Sequence, residues 1–463
     1  MQRDPLRAWI SKNLQTVTFL GAYFVTTVVG NLIFATPLAE RSLQGSGSPE
    51  GFLRFPHTFT FGFWTLLLCP FVLTPALVVA TRRVSASWID RASQILPEFT
   101  RPAYVTMTAA CFGFVIYKFW LADVATLFSS GADAGSSVEA RFTIRERIGY
   151  ITFVPLQALL PFLTIYALIR WIQSRELFWA VCNVLGILLL SVLLIMINMK
   201  WPVLLFYIGL VLAVFVYSRK RAYLKTAIGA LFLFVAFMLV STFVWRLVPP
   251  PQISQPPPPA TSGSVIAGDP SSAKPPASDP ATHATDVISH ASERAVATGE
   301  AARRNAPTIL VVALNRMAIA YPYYYQIITE EGAVCGGIVV QARRNPPCRP
   351  STLIYQRIHR DSFANRGTSP VAVHISGYAL GGWPTAMLAL VAGSLILGLF
   401  AAVPLDKGAT TGALTILGAL AGYHLSQIPG EGVVFYEHGL IWPALLIAGY
   451  GLWQRLTSHL SLA

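Results

Sequence analysis

The feature that most limits how this chain can fold is a series of long apolar segments, each bounded by charged residues or by Pro and Gly. Ten such segments lie near residues 14–36, 58–80, 103–122, 149–170, 177–197, 201–217, 224–247, 383–403, 409–427 and 438–454. A bilayer core about 30 Å thick is crossed by roughly 20 apolar residues in a helix. The sequence therefore predicts an all-α polytopic membrane protein with about ten transmembrane helices.

The composition agrees with this class and excludes an ordinary soluble enzyme. Only 12% of the 463 residues are charged, whereas an average soluble domain has about 25%. The first apolar segment is too long for a signal peptide and lies far from any small-residue cleavage site, so we expect an uncleaved anchor. The net charge of +13 is consistent with nucleic acid, anionic lipid or basic cytoplasmic loops, and only the positions of the basic residues distinguish these alternatives.

Those positions follow the alternation of the predicted spans. One set of short connections holds fifteen basic residues: Arg3, Arg7, Lys12, Arg82, Arg83, Arg91, Arg101, Arg170, Arg175, Arg219, Lys220, Arg221, Lys225, Lys407 and Arg455. The alternate set holds six: Arg41, Arg54, Arg141, Arg145, Arg147 and Lys200. Since Lys and Arg resist translocation, this bias predicts a multi-pass protein with both termini cytoplasmic. Much of the net charge is thereby explained, and we expect no nucleic acid partner.

The same alternation places one large loop on the periplasmic side and divides the chain into four parts. Residues 1–247 form an N-terminal transmembrane bundle of about seven spans, and residues 383–463 a C-terminal bundle of about three. Residues 248–307 are a tether rich in Pro, Ala and Ser that ends in a helical stretch at 286–305. The tether at 249–280 has too few large apolar residues to offset its ordering entropy, so we predict that the loop is partly disordered. Residues 308–382 form an ordered periplasmic or interfacial segment.

Within this last segment, residues 309–328 are nearly long enough to span the membrane, which would reverse the side of every later segment. Arg316 near its middle would cost about 2.5–3.5 kcal/mol on insertion, and Pro322 interrupts a helix. We therefore favour an interfacial or re-entrant helix. Cys335 and Cys348 lie in the same segment, and a disulfide between them would be worth about 3 kcal/mol and would indicate an oxidising compartment. Two free thiols are the alternative.

No metal-ligand spacing, phosphate-binding loop or dinucleotide fingerprint occurs in the sequence, so we predict no metal and no cofactor. The chemistry-bearing residues are instead basic and aromatic side chains at the predicted outer ends of the spans. Arg141, Arg145 and Arg147 lie directly before the fourth span, and Lys200 lies in the tight turn before the sixth span. Guanidinium and ammonium groups at headgroup level suit phosphate oxygens. Snorkelling membrane anchors are the alternative.

Two further groups extend this cluster. Arg316 precedes Tyr321, Tyr323, Tyr324 and Tyr325, and aromatic faces stack on sugar rings, although Tyr belts are also common at membrane interfaces. Arg366, His374 and Tyr378 lead into the eighth span, and Glu431, Glu437 and His438 lie between the last two spans. His374, Glu431, Glu437 or His438 could accept the proton of an acceptor hydroxyl, or each could be a solvated loop residue.

Four stretches resemble the bacterial O-antigen polymerases, also called oligosaccharide repeat-unit polymerases. They are RIGYITFVPLQALLPFLTIYAL, NMKWPVLLFYIGLVLAVFVYSRKR, NRMAIAYPYYY and SPVAVHISGYALGGWPTAMLAL. The resemblance implies an enzyme that joins undecaprenyl-pyrophosphate-linked repeat units at the periplasmic face of the bacterial inner membrane. It also implies substrate-binding roles for Lys200, Arg316, Arg366 and Tyr378, beside Arg147 and Tyr324 from the reasoning above, and suggests polysaccharide-assembly proteins as partners.

Two other functions remain open at this point. An O-antigen ligase would use the same pyrophosphate donor but a different acceptor, and the sequence hardly separates it from a polymerase. A non-enzymatic transporter of lipid or glycan would have charged residues along a path through the membrane midplane and internal repeats. The sequence shows no such repeat, and its candidate residues gather on one side. The expected mechanism is metal-independent, with Arg and Lys stabilising the pyrophosphate leaving group.

Overall fold

The computed structural model describes residues 4–36, 58–130, 134–243, 318–337, 348–359, 367–428 and 439–460. These ranges are almost entirely helical, and the only β-type pairing within them is one isolated bridge between Val371 and Ile428. The predicted tether at 249–280 and the predicted helix at 286–305 lie outside the described residues. The all-α architecture is confirmed.

Eight of the described helices are long and apolar enough to cross a membrane. In chain-order numbering they are α2 (Leu14–Phe34), α3 (Phe61–Ile95), α4 (Arg101–Leu121), α7 (Tyr150–Ser174), α8 (Leu177–Met196), α9 (Lys200–Tyr217), α10 (Ala222–Phe243) and α13 (Val373–Ala401). The remaining helices are α1 (Pro5–Lys12), α5 (Val124–Ser130), α6 (Ala134–Ile148), α11 (Ala320–Glu331), α12 (Pro350–His359), α14 (Ala409–Ser426) and α15 (Ile441–Leu460). The protein is thus a multi-pass membrane protein.

The last two predicted spans correspond to α14 and α15, which are helical but are not among these eight. Nearly every residue of α14 is buried, including Thr411, Thr415 and His424. Its neighbours are α2, α7, α9 and α13. Because α14 faces protein and little lipid, its polar side chains avoid most of the unfavourable free energy of exposure to hydrocarbon. Its modest hydropathy reflects this central position.

Burial separates the helices at the centre of the bundle from those at its edge. In α7, 89% of the most apolar stretch is buried inside the protein, whereas in α10 none of it is. α10 packs mainly against α9 and presents Leu231, Phe232 and Phe234 outward. Side chains of this kind suit lipid. The centre of the bundle is therefore formed by α7 and α14.

The connections predicted to be cytoplasmic lie together at one end of the bundle, which we call the basic end. Three contacts join them: Arg7 donates to the carbonyl oxygen of Val216 (2.8 Å), Arg82 to that of Lys12 (3.0 Å), and Arg101 to a carboxylate oxygen of Glu176 (2.9 Å). The starts of α3, α7 and α9 lie at the other end, which we call the outer end. The grouping of the loops agrees with the predicted alternation.

Glu98 fixes the beginning of α14 at the basic end. Its carboxylate accepts hydrogen bonds from the Thr410 backbone N–H (3.1 Å) and from the Tyr166 hydroxyl (2.9 Å). A carboxylate at a helix N-terminus satisfies amide groups that have no partner within the helix. Gly408 precedes α14 with a φ of 153°, and a Cβ there would collide with the Glu98 carboxylate. Glycine is therefore required at this position for both conformation and space.

We expect Gly408→Ala to lower the free energy of unfolding by about 1–3 kcal/mol, because alanine is strained at this φ and displaces Glu98. Thermal unfolding of the purified protein in detergent would measure the loss. Gly449→Ala is the matched control, since among the described residues nothing lies within 4 Å of a Cβ at Gly449 in α15. Equal stability of the two variants would contradict the assigned role of Gly408.

Near the outer end, the described part of the 309–328 segment forms a short buried helix. α11 has 12 residues, which is too short to cross a bilayer that takes roughly 20. All residues from Ala320 to Ile328 are buried, in a cluster that also contains Tyr23 and Phe63. α11 thus packs into the outer half of the bundle. Residues 309–317 lie outside the described part, so the interfacial or re-entrant helix predicted for 309–328 stays a prediction.

α13 is a helical hairpin and not one continuous helix. The chain reverses at Gly381 and at Gly382, which has φ 69° and ψ −148°. The Thr385 hydroxyl donates to the carbonyl oxygen of Gly377 (2.7 Å), so residues 373–380 return alongside residues 385–393. The predicted span at 383–403 therefore starts at the hairpin turn. Its first arm, which carries His374 and Tyr378, is inserted among α3, α11 and α14.

Candidate functional site

Positively charged side chains lie where two central helices begin at the outer end. Arg145 and Arg147 occupy the last turn of α6 and are exposed. Gly149, with a φ of 73°, turns the chain from α6 into α7. The Arg145 guanidinium lies 5.6 Å from the ring centroid of Phe153, so α6 is held against the first turn of α7. The two arginines are thereby fixed beside the start of α7.

Lys200 is the first residue of α9 and is exposed. It follows a turn in which Asn198 has a φ of 55°. The N-cap residue, Met199, makes no side-chain hydrogen bond to this N-terminus. The first amide N–H groups of a helix attract anions through their partial positive charge, and the Lys200 ammonium adds a full charge at the same place. The start of α9 is therefore suited to an anion such as phosphate.

A buried cavity of about 40 Å³ lies close to the start of α9 and about two turns along α7 from its start. It is lined from α7 by Gln157 and Pro161, from α8 by Leu194, from α9 by Pro202, Leu205 and Phe206, and from α14 by Leu417, Leu420, Ala421 and His424. Gln157 follows Tyr150 by seven residues, a depth of about 10 Å at 1.5 Å per residue. The cavity is therefore within reach of the outer end, inside the helix bundle.

The shape of α7 explains the position of Gln157. Residues Val154–Leu159 form a π-helical turn. Pro155 lies within this turn, and Pro161 lies at the beginning of the α-helical part that follows it. A proline cannot donate the usual backbone hydrogen bond, and π-helical turns occur frequently at functional sites. Gln157 is 8% exposed, and its side-chain oxygen has no hydrogen-bond partner among the described residues. A cavity of this size holds a water molecule, whose share of liquid volume is about 30 Å³.

His424 supplies the second polar side chain of the cavity. It is 1% exposed and lies in the last turn of α14. The neighbouring Tyr423 ring stacks on Trp201 of α9 at 4.8 Å. Our sequence analysis missed Gln157 and His424. The sequence did contain a signal for Gln157, which is a polar side chain between two prolines in an apolar segment. Polar side chains within membrane spans are rare and often functional.

Arg141 connects this region to the 308–382 segment. Burial lowers the pKa of the Arg141 guanidinium, the neighbouring charge of Arg145 lowers it further, and Tyr355 raises it. Tyr355 belongs to α12, so α12 lies close enough to α6 to influence the charge of Arg141. Arg357, also in α12, makes two hydrogen bonds to the carboxylate of Glu331 (2.7 and 2.9 Å). The outer end thus combines arginines from two separate parts of the chain.

The predicted aromatic ligands Tyr324 and Tyr378 lie inside the protein. Tyr324 is fully buried, and its hydroxyl donates to the carbonyl oxygen of Ser369 (3.3 Å). Tyr378 is 5% exposed, and its ring stacks on Tyr325 at 5.9 Å. In this conformation neither ring offers a face to a sugar. Both contribute to the packing of α11 against the first arm of α13.

His374, one of the predicted bases, is also fully buried. Its Nε2 lies 3.4 Å from the hydroxyl of Tyr23, and its ring meets that of Tyr23 edge-on at 5.4 Å. His374 belongs to the core around α11 and α13 and does not line the cavity below Lys200. Contact with a substrate would require a rearrangement of this core.

Some of the remaining predicted site residues lie outside the residues that the structure describes, and others lie within them. Arg316, Arg366, Glu431, Glu437 and His438 lie outside the described residues. Cys335 and Cys348 form a disulfide, with Cα atoms 5.6 Å apart. The structure therefore groups Arg147 and Lys200 with the helices that line the cavity, and it places Tyr324, Tyr378 and His374 in a separate core.

No group of three or more His, Cys, Asp or Glu side chains that could hold a metal ion occurs within the described ranges. The comparisons with known proteins add no further assignment: no family model, curated protein or solved structure matches this chain. The candidate site therefore depends on its own geometry.

Proposed function

We propose that this protein is a membrane glycosyltransferase that polymerises undecaprenyl-pyrophosphate-linked oligosaccharide repeat units at the periplasmic face of the bacterial inner membrane. The observation that supports it best is the position of Arg147 and Lys200 at the outer starts of α7 and α9, two helices that line one cavity containing Gln157 and His424. A lipid pyrophosphate lies at headgroup level with its hydrocarbon tail in the bilayer. Positive charge at the outer ends of spans is placed where such a headgroup would bind.

In the proposed reaction, a hydroxyl oxygen of the acceptor repeat unit attacks the anomeric carbon of the donor glycan. The carbon–oxygen bond to the pyrophosphate breaks, and the lipid pyrophosphate leaves with the bonding electrons. Arg147, Lys200 and the amide groups at the start of α9 stabilise the negative charge that develops on this leaving group. In this proposal, positive side chains supply that stabilisation and no metal ion is required.

The hydroxyl proton passes to a general base. Glu431, Glu437 and His438 remain candidates by sequence, because they belong to the stretch 429–438 that follows α14 and lies outside the described residues. His374 would need to leave its buried position to act. Undecaprenyl pyrophosphate glycan is thus the proposed substrate, and polysaccharide-assembly proteins are the proposed partners.

A transporter is less well supported by the buried residues. In the part of the chain that the structure describes, the buried polar side chains are Gln, Asn, Ser, Thr and His, with no Lys, Arg, Asp or Glu among them. A charged path through the midplane is the usual feature of secondary transporters. A ligase would share the proposed leaving group, so the experiment must separate the two by their products.

We expect cells that lack this protein to carry surface glycan with a single repeat unit, as seen by gel electrophoresis of extracted polysaccharide. Free lipid-linked polymer without attachment to its acceptor would indicate a ligase instead. Accumulation of lipid-linked repeat units inside the cell would indicate a transporter. Unchanged surface polysaccharide would contradict all three functions.

The orientation has its own test. We propose that the basic end, with Arg219, Lys220 and Arg221, faces the cytoplasm, because basic loops resist translocation. Single cysteines introduced near residue 220 and near residue 290 of a variant that lacks the native cysteines should then react with a membrane-impermeant maleimide differently in intact cells. Labelling is expected only near residue 290. Labelling near residue 220 would reverse the assignment.

A further inference from the structure

An open apolar groove lies at the basic end, away from the candidate site. Its volume is about 210 Å³. Its lining consists chiefly of Trp88 and Ile89 near the end of α3, Leu96 directly after α3, Phe400 at the end of α13, Val403 directly after α13, and Leu414 of α14. None of these residues takes part in the proposed reaction. The groove therefore needs an explanation of its own.

The end of α3 extends beyond the length needed to cross the bilayer. Its 35 residues span about 52 Å at 1.5 Å per residue, against a hydrocarbon core of about 30 Å. Within the last third of α3, the side chains of Val84, Trp88 and Ile95 are 80%, 54% and 62% exposed. Large apolar side chains and Trp in particular are favoured at a membrane interface. This part of α3 is therefore suited to the boundary between headgroups and hydrocarbon.

The groove offers hydrocarbon a better environment than water. Ser93 is the polar side chain among its lining residues, and its hydroxyl already donates to the carbonyl oxygen of Asp90 (2.7 Å). Water would occupy this volume at about 30 Å³ per molecule but needs two to four polar partners for each. The lining thus favours a flexible hydrocarbon chain.

Positive charge lies beside the groove. Arg91 is three residues after Trp88, and residues so spaced are neighbours on a helix surface. Arg83 and Arg91 are exposed, whereas Lys407 is paired with Asp90. An arginine at the interface attracts a lipid phosphate, and each basic residue near the surface strengthens the attraction to anionic lipid. The groove and the arginine together match the two parts of one anionic lipid.

We propose that this groove binds one acyl chain of an anionic phospholipid, with Arg91 at the headgroup phosphate. The inference is independent of the proposed glycosyltransferase activity, because it concerns the opposite end of the bundle. It assigns to this protein a lipid site at the basic end of the bundle, between the helices α3, α13 and α14.

The test uses the fluorescence of Trp88 in the full-length protein. Purified protein is reconstituted into vesicles that contain a small fraction of phosphatidylglycerol or of phosphatidylcholine with dibrominated acyl chains, which quench Trp on contact. The contribution of Trp88 is the difference between the wild type and Trp88→Phe. We expect the brominated phosphatidylglycerol to quench Trp88 at roughly fivefold lower content than brominated phosphatidylcholine, as one basic residue would confer.

Two variants separate headgroup recognition from chain binding. Arg91→Gln should remove the preference for phosphatidylglycerol while both lipids still quench Trp88. Ala92→Phe should fill the groove and reduce quenching by both lipids, and Ala110→Phe on the exposed face of α4 is the matched control. Equal quenching by the two lipids in the wild type, or an unchanged preference in Arg91→Gln, would overturn the proposal and indicate ordinary annular lipid.

Discussion

Replacing Lys200 with alanine should reduce glycan polymerisation by about 10²–10³-fold, the usual effect of removing one group that stabilises a developing negative charge. Lys200 is the first residue of α9, and in the proposed reaction its ammonium and the first amide N–H groups of the helix stabilise the same leaving group. The measurement is the chain-length distribution of surface polysaccharide, with the amount of protein in the membrane determined in parallel.

Lys118→Ala is the matched control. Lys118 lies in the last turn of α4, where a positive side chain meets the negative end of the helix dipole and lacks the amide donors that accompany Lys200. We expect normal polymer from this variant and substantial activity from Lys200→Arg, which keeps the charge. Polymer of normal length from Lys200→Ala would remove the start of α9 from the proposed site.

Arg147 extends this test. If Arg147 and Lys200 stabilise the same pyrophosphate, the double variant should lose little more activity than either single variant, because groups that act as a unit are strongly non-additive. Independent losses that multiply would instead indicate two separate anion sites. Either result is read from the same polysaccharide assay.

Gly377→Ala should open the hairpin of α13 and destabilise the protein by about 1–3 kcal/mol, as expected when an extra methyl group is forced into a packed core. A Cβ at Gly377 would lie 2.6 Å from the carbonyl oxygen of Thr385 and 2.8 Å from the Cβ of Ala389. Both atoms belong to the second arm of the hairpin, so only a separation of the arms relieves the contact. Denaturant unfolding of the purified protein would measure the loss.

Gly382→Ala tests the same hairpin through its backbone alone. Among the described residues, no atom lies within 4 Å of a Cβ built at Gly382, so alanine meets no collision there. The conformation at φ 69° and ψ −148° is nevertheless restricted almost entirely to glycine, and strain of this kind costs about 1–3 kcal/mol. A loss of stability in this variant would therefore be due to the backbone.

Gly229→Ala in α10 is the control for both hairpin variants. Within the described structure, Gly229 has no atom close to a built Cβ, and alanine favours a helix over glycine by about 1 kcal/mol. We expect this variant to be as stable as the wild type or more so. If Gly377→Ala and Gly382→Ala behaved like the control, the reversal of the chain at Gly381 and Gly382 would be incorrect.

Much of the architecture could be predicted because crossing a bilayer imposes a length and a composition on each span. The helices α2, α4, α7, α8 and α9 each begin and end within a few residues of the predicted limits. α3 was predicted only to residue 80 because Arg82 and Arg83 end the apolar run. The helix continues to Ile95 because a charged residue ends an apolar run without ending a helix, and Arg favours a helix as well as most apolar residues do.

The candidate site was harder to predict because its parts are separated in sequence. Arg147 and Lys200 were identified from charge at the ends of spans, and the structure adds the cavity between α7, α9 and α14. Tyr324 and Tyr378 show the opposite case. Their sequence pattern fits both a sugar platform and a core, and burial of their rings distinguishes these in the present conformation.

The sequence alone determined that this is a helical membrane protein and which of its loops lie on the same side, because hydropathy and charge act on each segment separately. Only the tertiary structure decided that α14 is central, that residues 373–380 fold back on the following span, and that Gln157 and His424 share one cavity. These features depend on which helices are neighbours. Neighbours are selected by packing between surfaces distant in the chain, which the pattern of a single segment does not contain.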